Sequence, residues 1–552
     1  MMRATNWLMV LAIIALAGCP TGESTDGTGG GAGAGSDAPG AAPVVEPAAG
    51  GVVRLPLTID GGELGLDGRY DLGDPRLWAL ARCIELPLVR VTPGGEVLSG
   101  LAVRWESDDS GAEWTFELAA DSERAIEPEQ LAGSLQQHWM EILRDEPSPL
   151  QAQLADLVIG AADYRDGRAL EISGISFEDS VLTIELTRPN RLLPLWVSQP
   201  GLGVGGSYGP FVVAETITPE EGPAELSLRP NPQSLVGQPL LEELRFICEP
   251  DRAEQVRLFT EGGLDAANVP PRAAVPAELE PALVRHETAA MLLCVFNYSH
   301  FPWDDVQFQS RVGLRQAINW GLDLDLLAEM NGEMLRPWPH FLPAALRDYI
   351  DPELVQSPLY PLSPRIEEAR RAMKAANHEQ GIRLPRGMDL AVVAGEGTEK
   401  LAGDVLDYWR EIAVKMALYG EDRATLMGRI ETADHEIVLR RVYPAWPDPD
   451  ACFYPMLHGS LTGLGGNWSW LAEDGIDAVL EEAQAEGDET TRRIIYRKLG
   501  RQLEERALFA FLGYATPSLL ISEQLAGYRL TPYDFDASLA AQDFTRLGRR
   551  AD

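Results

Sequence analysis

The stretch best equipped for chemistry is RRVYPAWPDPDACF, residues 440–453, which gathers two arginines, two exposed-type aromatic rings and two aspartates in one short run. A guanidinium is a planar fork that matches two carboxylate or phosphate oxygens at once, so Arg440 and Arg441 would suit an anionic ligand. Tyr443 and Trp446 add ring faces, each with a polar tip. Pro444, Pro447 and Pro449 exclude a helix interior or a central strand here. Two readings follow: a proline-stiffened surface turn, or a ligand-facing loop carrying Tyr443, Trp446 and Asp448. The arginines have their own plain reading, a solvated strand end.

Catalytic signatures do not accompany this loop. The chain has no Gly-x-Ser-x-Gly elbow, no Gly-x4-Gly-Lys phosphate loop and no His-Glu-x-x-His. Its 84 acidic residues make neighbouring carboxylates commonplace by chance, so no acid–base pair stands out. The 7 histidines are scattered and no Cys-x-x-Cys occurs, so neither a metal site, a catalytic thiol nor a cofactor is expected. An exported hydrolase would need a nucleophile and base that the sequence does not offer. Binding is the better expectation than catalysis.

At 552 residues the chain exceeds what one core usually serves and should form several domains. Its formal charge of -38 repels phosphate backbones, which argues against a nucleic-acid partner. The plainest reading of that acidity is solubility.

The N-terminus, MMRATNWLMVLAIIALAGCP, places Arg3 before an apolar run from Trp7 to Ala17, the pattern of a secretory signal. That run is too short for a bilayer core, which takes about 20 residues. Leu16-Ala17-Gly18-Cys19 resembles a bacterial lipobox, which implies that residues 1–18 are removed and Cys19 carries the acyl chains. Residues 19–51, rich in Gly, Ala, Ser and Pro, bury too little to offset their ordering entropy and read as a flexible tether. The folded part is expected from Val52. Of the remaining cysteines, Cys83, Cys248, Cys294 and Cys452, one or two disulfides are open in an oxidising compartment. Cys248 and Cys294 lie in apolar runs, where a free thiol behaves as a small hydrophobe.

The elements that must position the loop alternate strand and helix periods, which predicts an α/β fold. Trp114, Phe116 and Leu118 alternate, as do Leu182, Ile184 and Leu186, and both read as half-buried strands. Leu314, Ala317, Ile318, Gly321 and Leu322 fall at helical spacing, and so do Ala402, Val405, Leu406, Trp409, Ala413 and Met416. A further helix beginning near Asp488 carries Ile495, Leu499 and Leu503 on one side.

The order of segments resembles the family-5 solute-binding proteins of ABC transporters, the oligopeptide, dipeptide and nickel-binding group. The pieces that carry it are GGEVLSGLAVRWESDDSGAEWTFEL (94–118), GPFVV (209–213), LRPNPQSLVGQPLLEELRF (228–246) and RLFTEGGLDAANV (257–269). VFNYSHFPWDDVQFQSRVGLRQAINWGLDLDLL (295–327) is similar to that family's Phe-Asn-x4-Pro-Phe and Arg-Gln-Ala pieces, and the helical pair after Asp474 completes the series. The resemblance implies a two-lobed, periplasmic-binding-protein-like fold of class II with an extra N-terminal subdomain. It divides the chain into an N-terminal lobe at 52–290 with the subdomain inserted at about 86–174, a C-terminal lobe at 291–515, and a return to the first lobe at 516–552. It adds Asn297 to Tyr443, Trp446, Arg440 and Arg441 as ligand-contact candidates.

In peptide-binding members a Gly-Trp-x-Ala-Asp-Tyr-x-x-Pro loop faces the cleft, its Asp pairing with the ligand's amino group. Aligned without gaps, this chain has Arg441 at the Gly, Val442 at the Trp and Ala445 at the Asp. A buried amine without a counter-charge costs several kcal/mol, so the departure points away from ordinary peptides toward a neutral or anionic solute. The resemblance implies a monomer with a small-molecule or peptide ligand, ABC permease subunits as partners and no enzymatic step. With Cys19 it implies a cell-envelope protein, held to the membrane by its lipid and facing the periplasm or exterior. The alternative is a degenerate binding-fold lipoprotein with a structural or sensory role and no transporter.

Overall fold

The computed structural model describes residues 47–550 except 61–73, 207, 219–221, 301, 305–308, 380–387 and 396. The signal, Cys19 and most of the tether therefore lie outside the described residues. Strand pairing is present ahead of the expected Val52: Pro47–Ala48 pairs antiparallel with Gly548–Arg550.

The fold is α/β with two lobes and an additional subdomain. In the N-terminal lobe a four-stranded sheet runs in the order Phe211–Ile217, Ala224–Pro230, Glu243–Cys248, Val52–Leu57, the last pair parallel. Val53, Leu55 and Leu57 alternate onto the same core as Leu244, Phe246 and the helix Trp78–Ile84. The subdomain is built on a second four-stranded sheet, Ala102–Ser107, Glu113–Leu118, Val181–Glu185, Ile175–Glu178, covered by the helix Pro128–Arg144. Trp114, Phe116 and Leu118 are buried at alternate positions, as are Leu182 and Ile184. An end at 174 would cut this sheet, because the hairpin of 175–185 supplies two of its strands and its core extends to Val204.

The C-terminal lobe holds a six-stranded sheet, ordered Leu335–Pro337, Phe509–Ala515, Met291–Phe296, Ile437–Val442, Asp389–Val393, Ala417–Glu421. Every residue of Met291–Phe296 is buried, which is why that run reads as unbroken apolar sequence. The helix Gln309–Trp320 packs Leu314, Ala317 and Ile318 on the core, and Glu399–Glu411 packs Ala402, Val405, Leu406 and Trp409. The second helix stops short of the expected Ala413 and Met416: Ala413 takes φ +67°, the left-handed turn that ends it, and Met416 leads into the edge strand. Asp488 caps Glu489–Glu505 by accepting a hydrogen bond from the Thr491 backbone N–H at 2.8 Å. All four described cysteines are buried, and among the described residues none forms a disulfide. Among the described residues no helix is long and apolar enough to cross a membrane.

Candidate functional site

The central strand Ile437–Val442 ends where the prolines begin, and the chain then crosses to the helix Asp450–Leu457. Residues 443–449 are the point at which three hydrophobic cores meet. Tyr443 packs against the C-terminal and N-terminal cores, Ala445 against the N-terminal core and the subdomain, and Trp446 is buried within the subdomain core at 4% exposure. The loop is thus interior to the junction, and the surface-turn reading is set aside. Pro-stiffening has a purpose here, since each proline removes a backbone N–H that would otherwise need a partner in a crowded seam.

Opposite the loop stand the helix Trp78–Ile84 and the returning C-terminal segment. The Trp78 ring lies 5.9 Å from Phe535, and Phe535 meets Tyr443 edge-on at 5.0 Å. The Tyr443 hydroxyl accepts from Nη1 of Arg441 at 3.2 Å, and the Arg441 charge also acts on half-buried Asp536. Arg440, on the other face of the strand, lies with its guanidinium 3.8 Å from the centre of the Trp468 ring and donates to the Gly466 carbonyl at 2.5 Å. Burial and then the like charge of Arg423 pull Arg440 down to about 9. Arg423 in turn reaches toward Asp74, just ahead of the Trp78–Ile84 helix, at 3.8 Å.

Asp448 does not face a ligand. Nη1 of Arg492 donates to it at 2.6 Å within the C-terminal lobe, and both groups are buried. Its neighbour Asp450 accepts from the Tyr496 hydroxyl at 3.0 Å, and burial followed by repulsion from Asp448 pushes it up to about 7. Asn297 is likewise consumed inside that lobe. It is 0% exposed, its Nδ2 donates to the Ala433 and His435 carbonyls at 2.9 and 2.8 Å, and its Oδ1 accepts from the Ser299 N–H and hydroxyl. With no hydrogen-bonding capacity left, Asn297 is a strand-end staple and is withdrawn as a ligand contact. Of the five sequence candidates, Arg441 and Tyr443 meet directly, Arg440 lies on the other strand face against Trp468, and Trp446 lies in the subdomain core.

Two features escaped sequence reasoning. Arg82, one helical turn after Trp78 and on its face, is part-buried at the junction. The second is an ion cluster where the subdomain meets the C-terminal lobe. Arg188 binds Asp156 at 2.5 Å, and the Tyr454 hydroxyl hydrogen-bonds with both. Nothing in the local sequence around Arg82 or Arg188 marks either, because the groups around them come from distant segments, Asp156 at 32 and Tyr454 at 266 positions from Arg188. Two concavities, about 320 Å³ beside Trp320 and Arg365 and about 140 Å³ beside Val256 and Leu520, each lie within one lobe and away from the loop.

With this geometry in hand, relatives can be compared. Residues 203–463 match the profile of bacterial extracellular solute-binding proteins, family 5 (middle region). Over that segment the chain is similar to this solute-binding family. Similar proteins include the probable di/tripeptide-binding protein 5 of Pseudomonas aeruginosa, 22% identical over 82% of this chain and 87% of that one. The nickel-binding periplasmic protein of Escherichia coli is 19% identical over 81% and 86%. Among solved structures, the Haemophilus influenzae OppA complex with RPPGFSPFR superposes with a TM-score of 0.68 at 17% identity, covering 92% of this chain and all of that one.

Proposed function

We propose that the protein is the substrate-binding component of a peptide-type ABC importer, which captures a small polar or peptide-like solute between its lobes and delivers it to a permease. The observation that carries this reading is the junction itself: a rigid loop inside a seam shared by three cores, with ring faces and guanidinium groups, in a chain similar to this family. The named relatives bind di/tripeptides, nickel and a nonapeptide, so the family alone does not select the solute. Support for the lipid anchor comes from the lipobox-like Leu16 to Cys19, and two acyl chains suffice for stable attachment. Tyr443, Arg440 and Arg441 are the proposed contacts, and Trp446, held in the subdomain core, anchors the loop that presents them.

The test is a solute screen by thermal shift on the mature protein, followed by small-angle scattering with any stabilising solute. A ligand that favours the closed form must shift the population toward it, so the radius should fall. Failure of every peptide and polar solute to stabilise the protein would refute the transport reading. Radioactive fatty acid should label the cellular protein, and Cys19→Ser should abolish the label. A second reading, a degenerate envelope lipoprotein without a transporter, is favoured by Ala445 in place of the acid and by the engagement of Asp448 with Arg492.

A further inference from the structure

Many arginines of this chain are matched with acids, as befits 84 acidic against 46 basic residues, while Arg191 and Arg497 are satisfied by backbone carbonyls. Arg188, Arg245, Arg257, Arg429, Arg492 and Arg501 each sit against carboxylates that hold them above the ordinary guanidinium range. The junction departs from that rule. The Nε of Arg82 is buried with no hydrogen-bond partner among the described residues. Asp534, the acid whose charge it feels, is already saturated: its carboxylate accepts from the Thr531 N–H and hydroxyl, the Ala541 N–H and Gln542 Nε2 at 2.6 to 3.0 Å. Arg440 has a carbonyl and a ring against it and feels the like charge of Arg423. Both guanidiniums are pulled down because burial is not offset by an ion pair.

The two belong to one seam. Trp78, on the face of its helix that Arg82 shares, leads through Phe535 to Tyr443 at the end of the strand that carries Arg440. At the other end of that helix, Asp74 lies 3.8 Å from Arg423. A desolvated cation left without its counter-charge is costly, and in a chain so rich in acids a local carboxylate would have been the easy remedy.

We propose that the solute captured in this seam presents an anionic oxygen group, a carboxylate or a phosphate, to Arg82, with Arg440 as the second cation. The inference rests on the binding function above and deepens it by naming the ligand class. The guanidinium fork of Arg82 takes two oxygens of the group, and Arg440, kept planar against Trp468, adds charge from the C-terminal lobe so that anion capture joins the two lobes. Binding and stability are then opposed at Arg82: the group that holds the ligand destabilises the empty protein.

The experiment measures calorimetric binding and melting temperature of the mature protein with succinate, inorganic phosphate, an N-acetylated acidic dipeptide and a free-amine alanine tripeptide. Carboxylate probes should bind, or phosphate should in their place, and the two arms distinguish the sources. Arg82→Gln should weaken the best anion at least 10-fold, while the melting temperature of the ligand-free protein holds or rises. Arg82→Lys, which keeps the charge and loses the fork, should fall between. A merely structural Arg82 would instead lower the melting temperature and leave affinity untouched. Preference for the free-amine tripeptide, unaltered by Arg82→Gln, overturns the anion inference and leaves solute binding standing. Absence of binding by any probe and by the wider solute screen overturns both.

Discussion

Two seams run between the parts of this molecule, and they treat charge in opposite ways. Where the subdomain meets the C-terminal lobe, Arg188, Asp156 and the Tyr454 hydroxyl bind one another, and the Arg188 Nε, which makes no hydrogen bond among the described residues, has Glu481 at 3.6 Å as an ion-pair partner. Burial would push Asp156 up, but Arg188 and the Tyr454 hydroxyl outweigh it and hold the carboxyl below its usual range. Main-chain groups add to the seam: the Arg191 N–H donates to the Gln484 carbonyl at 2.8 Å and its Nε to the Ala485 carbonyl at 3.1 Å. Trp446 and Ala451 of the C-terminal lobe sit inside the subdomain core. At the other seam, between the Trp78–Ile84 helix and the strand end at Val442, the cations lack such closure. The compensated seam has the character of a weld and the uncompensated one that of a site, since a buried charge without a partner persists only where something else requires it.

The largest effect should come from breaking the weld. Asp156→Ala leaves Arg188 buried with only the more distant Glu481 as acid, and removal of one member of a buried pair costs about 2–4 kcal/mol. Chemical denaturation should show that loss, whereas Arg82→Gln should show none. If Arg82→Gln is the more destabilising of the two, the roles assigned to the seams are reversed.

That contrast also marks what the sequence could and could not tell. The lobes were legible because Met291–Phe296 is buried on both faces and Trp114, Phe116 and Leu118 alternate, patterns that a period reveals directly. The loop was legible because its prolines exclude regular structure on both sides of Trp446. Charge closure was not legible: Arg188 finds Tyr454 at a separation of 266 residues, and Arg82 shows its want of a partner only once Asp534 is seen to be saturated. Asn297 misled for the same reason, as a polar residue at a strand end carries no sign of whether backbone carbonyls will consume it.

A pH experiment probes the ground beneath the loop. Asp450 stands at about 7 in the folded protein, well above the ordinary carboxyl of the unfolded chain near 3.9. The folded state then binds a proton that the unfolded state has released, so this group's contribution is complete below about pH 4 and is lost as pH rises through about 7. The Gln484 side-chain oxygen, buried and without a partner, can accept that proton once its amide is turned, because Gln484 Nε2 now lies 3.2 Å from Asp450. Asp450→Asn should leave stability at pH 4 nearly unchanged and raise it at pH 8 by roughly 2–4 kcal/mol. Denaturation midpoints at the two pH values check it; an equal shift at both would mean that Asp450 is charged throughout.

The smallest effect, and the most selective, is expected from Ala445→Asp. Ala445 is half-buried between the N-terminal core and the subdomain, so an acid placed there enters the uncompensated seam directly. If Arg82 and Arg440 await an anion from solution, an internal carboxylate will satisfy part of that demand and compete with it. Affinity for the best anionic probe should fall by about 1–2 kcal/mol, and free-amine peptides should gain by a similar amount because their ammonium acquires a counter-charge. The competition should also be visible as non-additivity. In the Arg82→Gln background the acid has one cation fewer to satisfy, so Ala445→Asp should weaken anion binding less than it does in the native protein. Calorimetry on the four proteins of that cycle decides it: an additive cycle would mean that position 445 and Arg82 do not share a site, and the uncompensated seam would have to be divided in two.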